Sequence, residues 1–211
     1  MREFLDTEFD EDGKTIELIS IALVAEDGRE FYACNTEVDL TRVNPWVRDN
    51  VLPHLPPIGA PAWMTRAQIR DGVLAHIAAG VTKPEFWAYY ADYDWVALCQ
   101  LFGRMIDLPK GWPMFCRDLK QLSVDVGSPP HPPDPKDAHD ALADARWNRN
   151  LYAFLMTIRK GKRHVDAADA WAVERQRILR LGRAFLERRF DSAFSTAHLA
   201  NFLDALERGD V

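Results

Sequence analysis

The first forty residues alternate between apolar runs and acidic turns. Residues 3–8 set Phe4 and Leu5 beside Asp6, Thr7 and Glu8 and read as a short strand, and Asp10 to Gly13 reads as a turn. ELISIALVA, residues 17–25, is apolar on both alternating faces after Glu17, the pattern of a central strand buried on both sides. Glu26-Asp27-Gly28 is a hairpin signal, and REFYACN follows as a third strand. Three strands joined by short turns make an antiparallel meander.

The period then changes. Thr65 and Gln68 are spaced as a capping box, Ile69, Val73, Leu74 and Ile77 follow at helical spacing, and Gly80 stops the helix. EFWAYYA, residues 85–91, reads as a strand, residues 94–102 as a helix ending at Gly103, and residues 115–122 as another short helix. Residues 127–136 hold five prolines and form a stiff loop, because proline removes backbone donors and fixes φ. A long helix is expected over residues 137–158. The class is α/β, a mixed sheet flanked by helices, in which the meander is continued by parallel strands. Residues 161–211 read as a separate helical extension after a domain at 1–160. Trp171, Ile178, Leu181 and Phe185, then Leu199, Phe202, Leu203 and Leu206, recur there at three- and four-residue steps.

Composition narrows the setting. No apolar run nears the roughly 18 residues that cross a bilayer, so no membrane partner is expected. The acidic N-terminus is not a signal for export, and Cys34, Cys99 and Cys116 lack metal-ligand spacing, so reduced thiols in a cytoplasmic protein are expected. The net charge of -6 hides an uneven distribution. Residues 1–40 hold twelve acids and three bases, whereas residues 159–189 hold ten bases and four acids. The first attracts cations and the second phosphates, although each run also serves as a solvated face.

Asp6 and Glu8 lie two apart on a strand, so both carboxylates point to one face with Thr7 opposite. Two like charges so close repel unless a cation lies between them or one takes a proton. Magnesium and manganese suit such oxygen ligands. Two further acid positions stand out. Asp94 opens a helix just after an aromatic strand, where it, or Asp92, could equally be an N-cap. Asp140 and Asp144 share a helix face, with His139 at the helix entry beside the proline loop.

Asp6-Thr7-Glu8, Tyr93-Asp94-Trp-Val-Ala-Leu98 and His139-Asp140-Ala-Leu-Ala-Asp144 resemble, in order and spacing, the three motifs of the DEDDh exonuclease superfamily. Longer stretches, DTEFDEDGKTIELISIALVAEDGREFYA, YDWVALCQL and HDALADAR, resemble the polyadenylate-specific ribonuclease AS group of actinobacteria. The resemblance covers about residues 1–158. It implies a ribonuclease H-like fold, two Mg2+ ions (Mn2+ as a substitute), and removal of nucleotides from the 3' end of single-stranded RNA, with an adenylate preference. It further implies nucleoside 5'-monophosphate products and a homodimer. It assigns Asp6, Glu8, Asp94 and Asp144 to the metal ions and makes His139 the general base for the attacking water. Histidine suits that task because its ordinary pKa is about 6.5.

Substrate contacts are expected from Thr7, beside the terminal ribose, and from Glu17 and Leu18, at the sugar and base. Leu18 fits a core position equally well, and Glu17 a charged strand end. Trp87, Tyr89, Tyr90, Tyr93 and Trp95 suit base stacking or the core. Trp95 stands where the ribonuclease AS group leads one to expect histidine. Two other readings use the same residues: a DNA proofreading or repair exonuclease, and a nucleic-acid-binding module working through the helical tail. The arginine-rich run from Arg175 to Arg189 could grip RNA backbone or decorate a dimerising helix.

Overall fold

The computed structural model describes residues 1–80, 83–135, 137–187 and 193–208. Lys136 of the proline loop and Arg188 and Arg189 of the basic run lie outside the described residues, and the Phe185 side chain is likewise not described. The chain forms two units, Met1–Met156 and Thr157–Val211.

The first unit is built on a mixed sheet. Strands β1 (Arg2–Glu11), β2 (Ile16–Ala25) and β3 (Glu30–Asn35) form the expected antiparallel meander. Parallel pairing extends it on both sides, through β4 (Trp63–Met64) next to β3 and through β5 (Glu85–Ala88) and β6 (Arg117–Asp118) next to β1. The strand order is β4-β3-β2-β1-β5-β6. Helices α2 (Arg66–Ala78) and α3 (Asp92–Gln100) supply Ile69, Val73, Ile77, Ala97 and Leu98 to a core that also holds Leu5, Leu18, Ile21 and Leu23. Thr65 caps α2 in the capping box that its spacing indicated. Ile19 instead joins Val43, Val47 and Val51 around α1 (Pro45–Asn50), a short helix that the sequence pattern did not reveal.

That division depends on a β-bulge. Glu8 pairs with Ser20 but Phe9 pairs with Leu18, so Ile19 is the extra residue. The bulge reverses the alternation of β2 and sends Leu18 to the same core as Ile21 and Leu23. Alternation alone would have put Ile19 there.

Several boundaries differ from the sequence expectation. β1 runs through Asp10 to Glu11, and Asp10 accepts hydrogen bonds from the Asn44 N–H (3.1 Å) and its side-chain amide (2.6 Å), anchoring the start of α1. β5 stops at Ala88, and Tyr90 takes a left-handed φ of 57°, which a strand cannot accommodate. The helix expected over 115–122 is the strand β6 followed by α4 (Leu119–Asp125), which Asp118 caps. Helix α5 begins at Ala141 rather than near residue 137 because His139 has φ 70° and Asp140 accepts from the Ala143 N–H at 2.8 Å. It then continues unbroken to Glu187.

In the second unit, the later part of α5 and α6 (Ala193–Arg208) enclose Leu179, Leu203 and Leu206, with Ile178 and Leu199 packed against them. Arg175 donates from Nε to the Leu206 carbonyl at 2.8 Å and from Nη2 to the Glu207 carbonyl at 2.6 Å. A cation there satisfies carbonyls left over at the end of α6.

Candidate active site

The pairing of β1 with β5 ends at Phe4. Beyond it, backbone groups on that edge of β1 need other partners. The Leu5 carbonyl accepts from the Asn148 side chain of α5 at 2.9 Å, and the Thr7 N–H donates to Asp94 Oδ1 of α3 at 2.9 Å. The Thr7 hydroxyl also donates to Asp94 Oδ1, at 2.7 Å. Two helices thus complete the ladder with side chains, and in doing so they are fixed to the strand that carries the acids.

Asp6 and Glu8 share a strand face, as the alternation requires, and Asp144 in the first turn of α5 meets them there. One carboxylate oxygen from each of the three lies within 4.8 Å of the others. Among the described residues, no Lys or Arg forms an ion pair with the cluster. Burial and the neighbouring carboxylates push Glu8 up to about 8 from a usual 4.5. Asp6 is raised well above 3.8, by burial first and then by Asp94, Glu8 and Asp144. Asp94 rises to about 7, again chiefly through burial, even though its two hydrogen bonds from Thr7 pull the other way. Asp144 is also raised by burial, partly offset by the His139 N–H, which donates to its Oδ2 at 2.8 Å.

This donor set fits hard divalent cations. It is all oxygen, and the upward shift of these carboxyls marks the mutual repulsion that a bound cation would relieve. Asp6, Glu8 and Asp144 are the direct candidates. Asp94 joins them electrostatically, through its effect on Asp6 and Glu8, and through Thr7.

A cavity of about 260 Å³ opens over the cluster, with Asp6 and Asp144 in its lining together with His139, Tyr89, Asp134 and Trp147. His139 is held on two sides. Its N–H bonds Asp144, and the Trp46 ring meets its imidazole edge-on with centroids 4.9 Å apart. The proline loop is fixed beside it: Trp147 donates to the Pro133 carbonyl at 3.0 Å, and His131 Nε2 lies 2.7 Å from the Ser123 hydroxyl.

The structure thus brings together Asp6, Glu8, Asp94, His139 and Asp144, with Thr7 behind Asp94. It places the remaining two candidates elsewhere. Glu17 is exposed and faces Arg66, 3.5 Å away, and the Leu18 side chain is fully buried in the core, with no surface to offer a ribose or base. Neither lines the cavity. The physical reason for Leu18 is the bulge, which turns it inward. Thr7 spends its N–H and hydroxyl on Asp94 rather than on open space. Among the aromatics, Trp87 and Trp95 are buried, whereas Tyr90 and Tyr93 are about half exposed. Sequence reasoning missed Trp46 and Asn148. Asn148 lies four residues after Asp144, so the helical step could have flagged it. Trp46 sits in a stretch with no periodic signal.

Residues 1–156 match the family model described as the 3'-5' exoribonuclease Rv2179c-like domain. The chain belongs to this family. The Rv2179c-like family places it among the 3'-5' exoribonucleases, which are hydrolases. Two curated relatives from Mycobacterium tuberculosis, the 3'-5' exoribonuclease Rv2179c of strain H37Rv and MT2234.1 of strain CDC 1551, are each 54% identical over 147 residues, covering 69% of this chain and 88% of theirs. Among solved structures, the nuclease domain of 3'hExo, a DEDDh family member, bound to rAMP, gives a TM-score of 0.47 at 13% identity, over 76% of this chain and 92% of that one. The Mg2+- and Mn2+-bound Pop2p of S. pombe gives 0.47 at 13% identity, over 72% and 81%. Both curated matches span fewer residues than this chain contains.

Proposed function

We propose that the protein removes nucleotides one at a time from the 3' end of single-stranded RNA, favouring adenylate-rich ends and releasing nucleoside 5'-monophosphates. The observation that carries this reading is the convergence of Asp6, Glu8 and Asp144 within 4.8 Å, with Asp6, Asp144 and His139 lining one cavity. Asp6, Glu8, Asp94 and Asp144 would hold two divalent ions, Mg2+ or, as a substitute, Mn2+. Such ions, when bound, acidify water and offset the charge that builds on a phosphoryl group.

The chain's own residues supply the rest. His139 accepts the proton of the attacking water from its place in the lining of the cavity that Asp6 and Asp144 share. Asp144 accepts the His139 backbone N–H and so holds the backbone of the base next to the carboxylate. Thr7 locks Asp94 in place with two donors. Tyr89 and Trp147 wall the cavity and exclude water from one side. The protein acts in the cytoplasm as a homodimer in this reading. Glu17, exposed at the start of β2, is a ribose contact only if Arg66 releases it.

The test is digestion of 5'-labelled oligo(A), oligo(U) and oligo(dA) in magnesium beside an Asp94→Ala control. Stepwise shortening of oligo(A), faster than oligo(U) and oligo(dA) and absent in the control, is expected. Equal rates on oligo(A) and oligo(dA), or an active control, would overturn the substrate or the site respectively.

A further inference from the structure

One side of the cavity continues into a strip of exposed rings and cations that the hydrolytic chemistry does not use. Tyr89 lines the cavity. The next residue, Tyr90, is 58% exposed, with its ring edge-on to Tyr89 at 4.7 Å. Its φ of 57° is an unfavourable backbone state for a bulky side chain, and it turns that side chain out of the strand direction. The Lys120 ammonium, in the first turn of α4, lies 5.7 Å from the Tyr90 ring centroid.

The parallel register of Trp87 with Arg117 and Ala88 with Asp118 extends the strip to the edge of the sheet. There the Arg117 guanidinium lies 5.5 Å from the rings of both Trp87 and Phe115, and Phe115 is 54% exposed. Glu85 stands 3.4 Å from Arg117 and balances part of its charge. Asp118 is occupied as the cap of α4 and accepts from the Ala91 N–H at 3.3 Å.

A carboxylate cluster repels a polyanion, so a nucleic acid that enters it must be gripped where charge is favourable. Exposed rings alternating with cations are the arrangement that holds a single strand, with bases on the rings and phosphates at the cations. We propose that Tyr90, Lys120, Arg117 and Phe115 form a binding track for the single-stranded RNA upstream of the 3'-terminal nucleotide. The track leads from the Tyr89 wall of the cavity to the β6 edge. This rests on the cavity being the hydrolytic centre.

The experiment measures binding of a fluorescent oligo(A) with hydrolysis-resistant phosphorothioate linkages, in magnesium, to the full chain. The Arg117→Ala/Lys120→Ala double variant should bind at least tenfold more weakly. Its salt dependence should fall by about 1.4 in log–log slope, about 0.7 for each phosphate of a single strand that is no longer neutralised. Tyr90→Gly tests the ring separately, since glycine accepts a positive φ and leaves the fold intact. It should weaken binding with no change in salt slope. A labelled dinucleotide, too short to reach the track, should bind all variants equally. Unchanged affinity and slope, or equal weakening for the dinucleotide, would overturn the track. Hydrolysis of unmodified oligo(A) is followed in parallel. If wild type binds through these residues but shortens no RNA, the cavity is not the hydrolytic centre, and only the grip on single-stranded RNA stands.

Discussion

In the presence of a chelator, the stability of the protein should fall as pH rises. The native Glu8 carboxyl is raised from 4.5 to about 8, so below about pH 4.5 it is protonated whether the chain is folded or not. Between those values the unfolded chain releases the proton and the folded chain retains it. The folded state is then progressively disfavoured until the native group also ionises near pH 8. At about 1.36 kcal/mol for each pH unit, the rise corresponds to about 5 kcal/mol at Glu8. Asp94, raised from 3.8 to about 7, acts in the same direction. The two do not add, because the charge of Asp94 is itself one cause of the Glu8 shift. A loss of about 5 kcal/mol compares with a total stability of about 5–15 kcal/mol for ordinary domains. Urea denaturation with a chelator at about pH 5 and about pH 8 measures it, and repetition with magnesium should show stabilisation that is much larger near pH 8. Glu8→Gln should flatten the metal-free profile, be more stable than wild type near pH 8, and lose most of the magnesium response. A level metal-free profile, or equal stabilisation by magnesium at both pH values, would refute the electrostatic account of the cluster.

Three further outcomes follow from single contacts. Thr7→Val removes the 2.7 Å bond to the buried Asp94 carboxylate and should destabilise the chain by about 1–3 kcal/mol in urea melts, with a fall in kcat as Asp94 keeps only the Thr7 N–H of its two donors. Trp46→Ala removes the ring against His139 and should lower kcat more than it raises KM; because Trp46 is 54% exposed, its melting temperature should stay near wild type, and Trp46→Phe should recover most of the rate. His76→Leu strips the hydrogen bond at 3.0 Å from the Glu3 carboxylate, which is 1% exposed, and should cost about 1–3 kcal/mol by the same melts, partly recovered by adding Glu3→Gln.

The meander was legible because its three strands lie close in sequence and their turns carry acidic and glycine signals. The capping box of α2 was legible for the same local reason. The boundaries that failed share a different cause. α5 starts late because His139 takes a backbone state that its residue type does not announce, and β5 ends early because Tyr90 does the same. The pair of residues forming β6 has no periodicity to read, and exists as a strand only because β5 offers an edge.

The sequence by itself determined that Asp6 and Glu8 share a face, since strand alternation is a property of the backbone. It placed His139 and Asp144 near the start of one long helix, although the first turn at Ala141 was set only by the fold. Motif order, read as a resemblance, then tied these to Asp94. Tertiary structure alone decided what those acids meet. It put Asp94 on Thr7, where β1 and β5 part and leave a donor unpaired. It turned Leu18 into the core through one bulged residue, and it set Trp46 against His139 across 93 positions of chain. Such contacts depend on strand register and on which backbone groups the sheet leaves unsatisfied. Neither is encoded by any short stretch, because both arise only when segments far apart in the chain compete for the same edge.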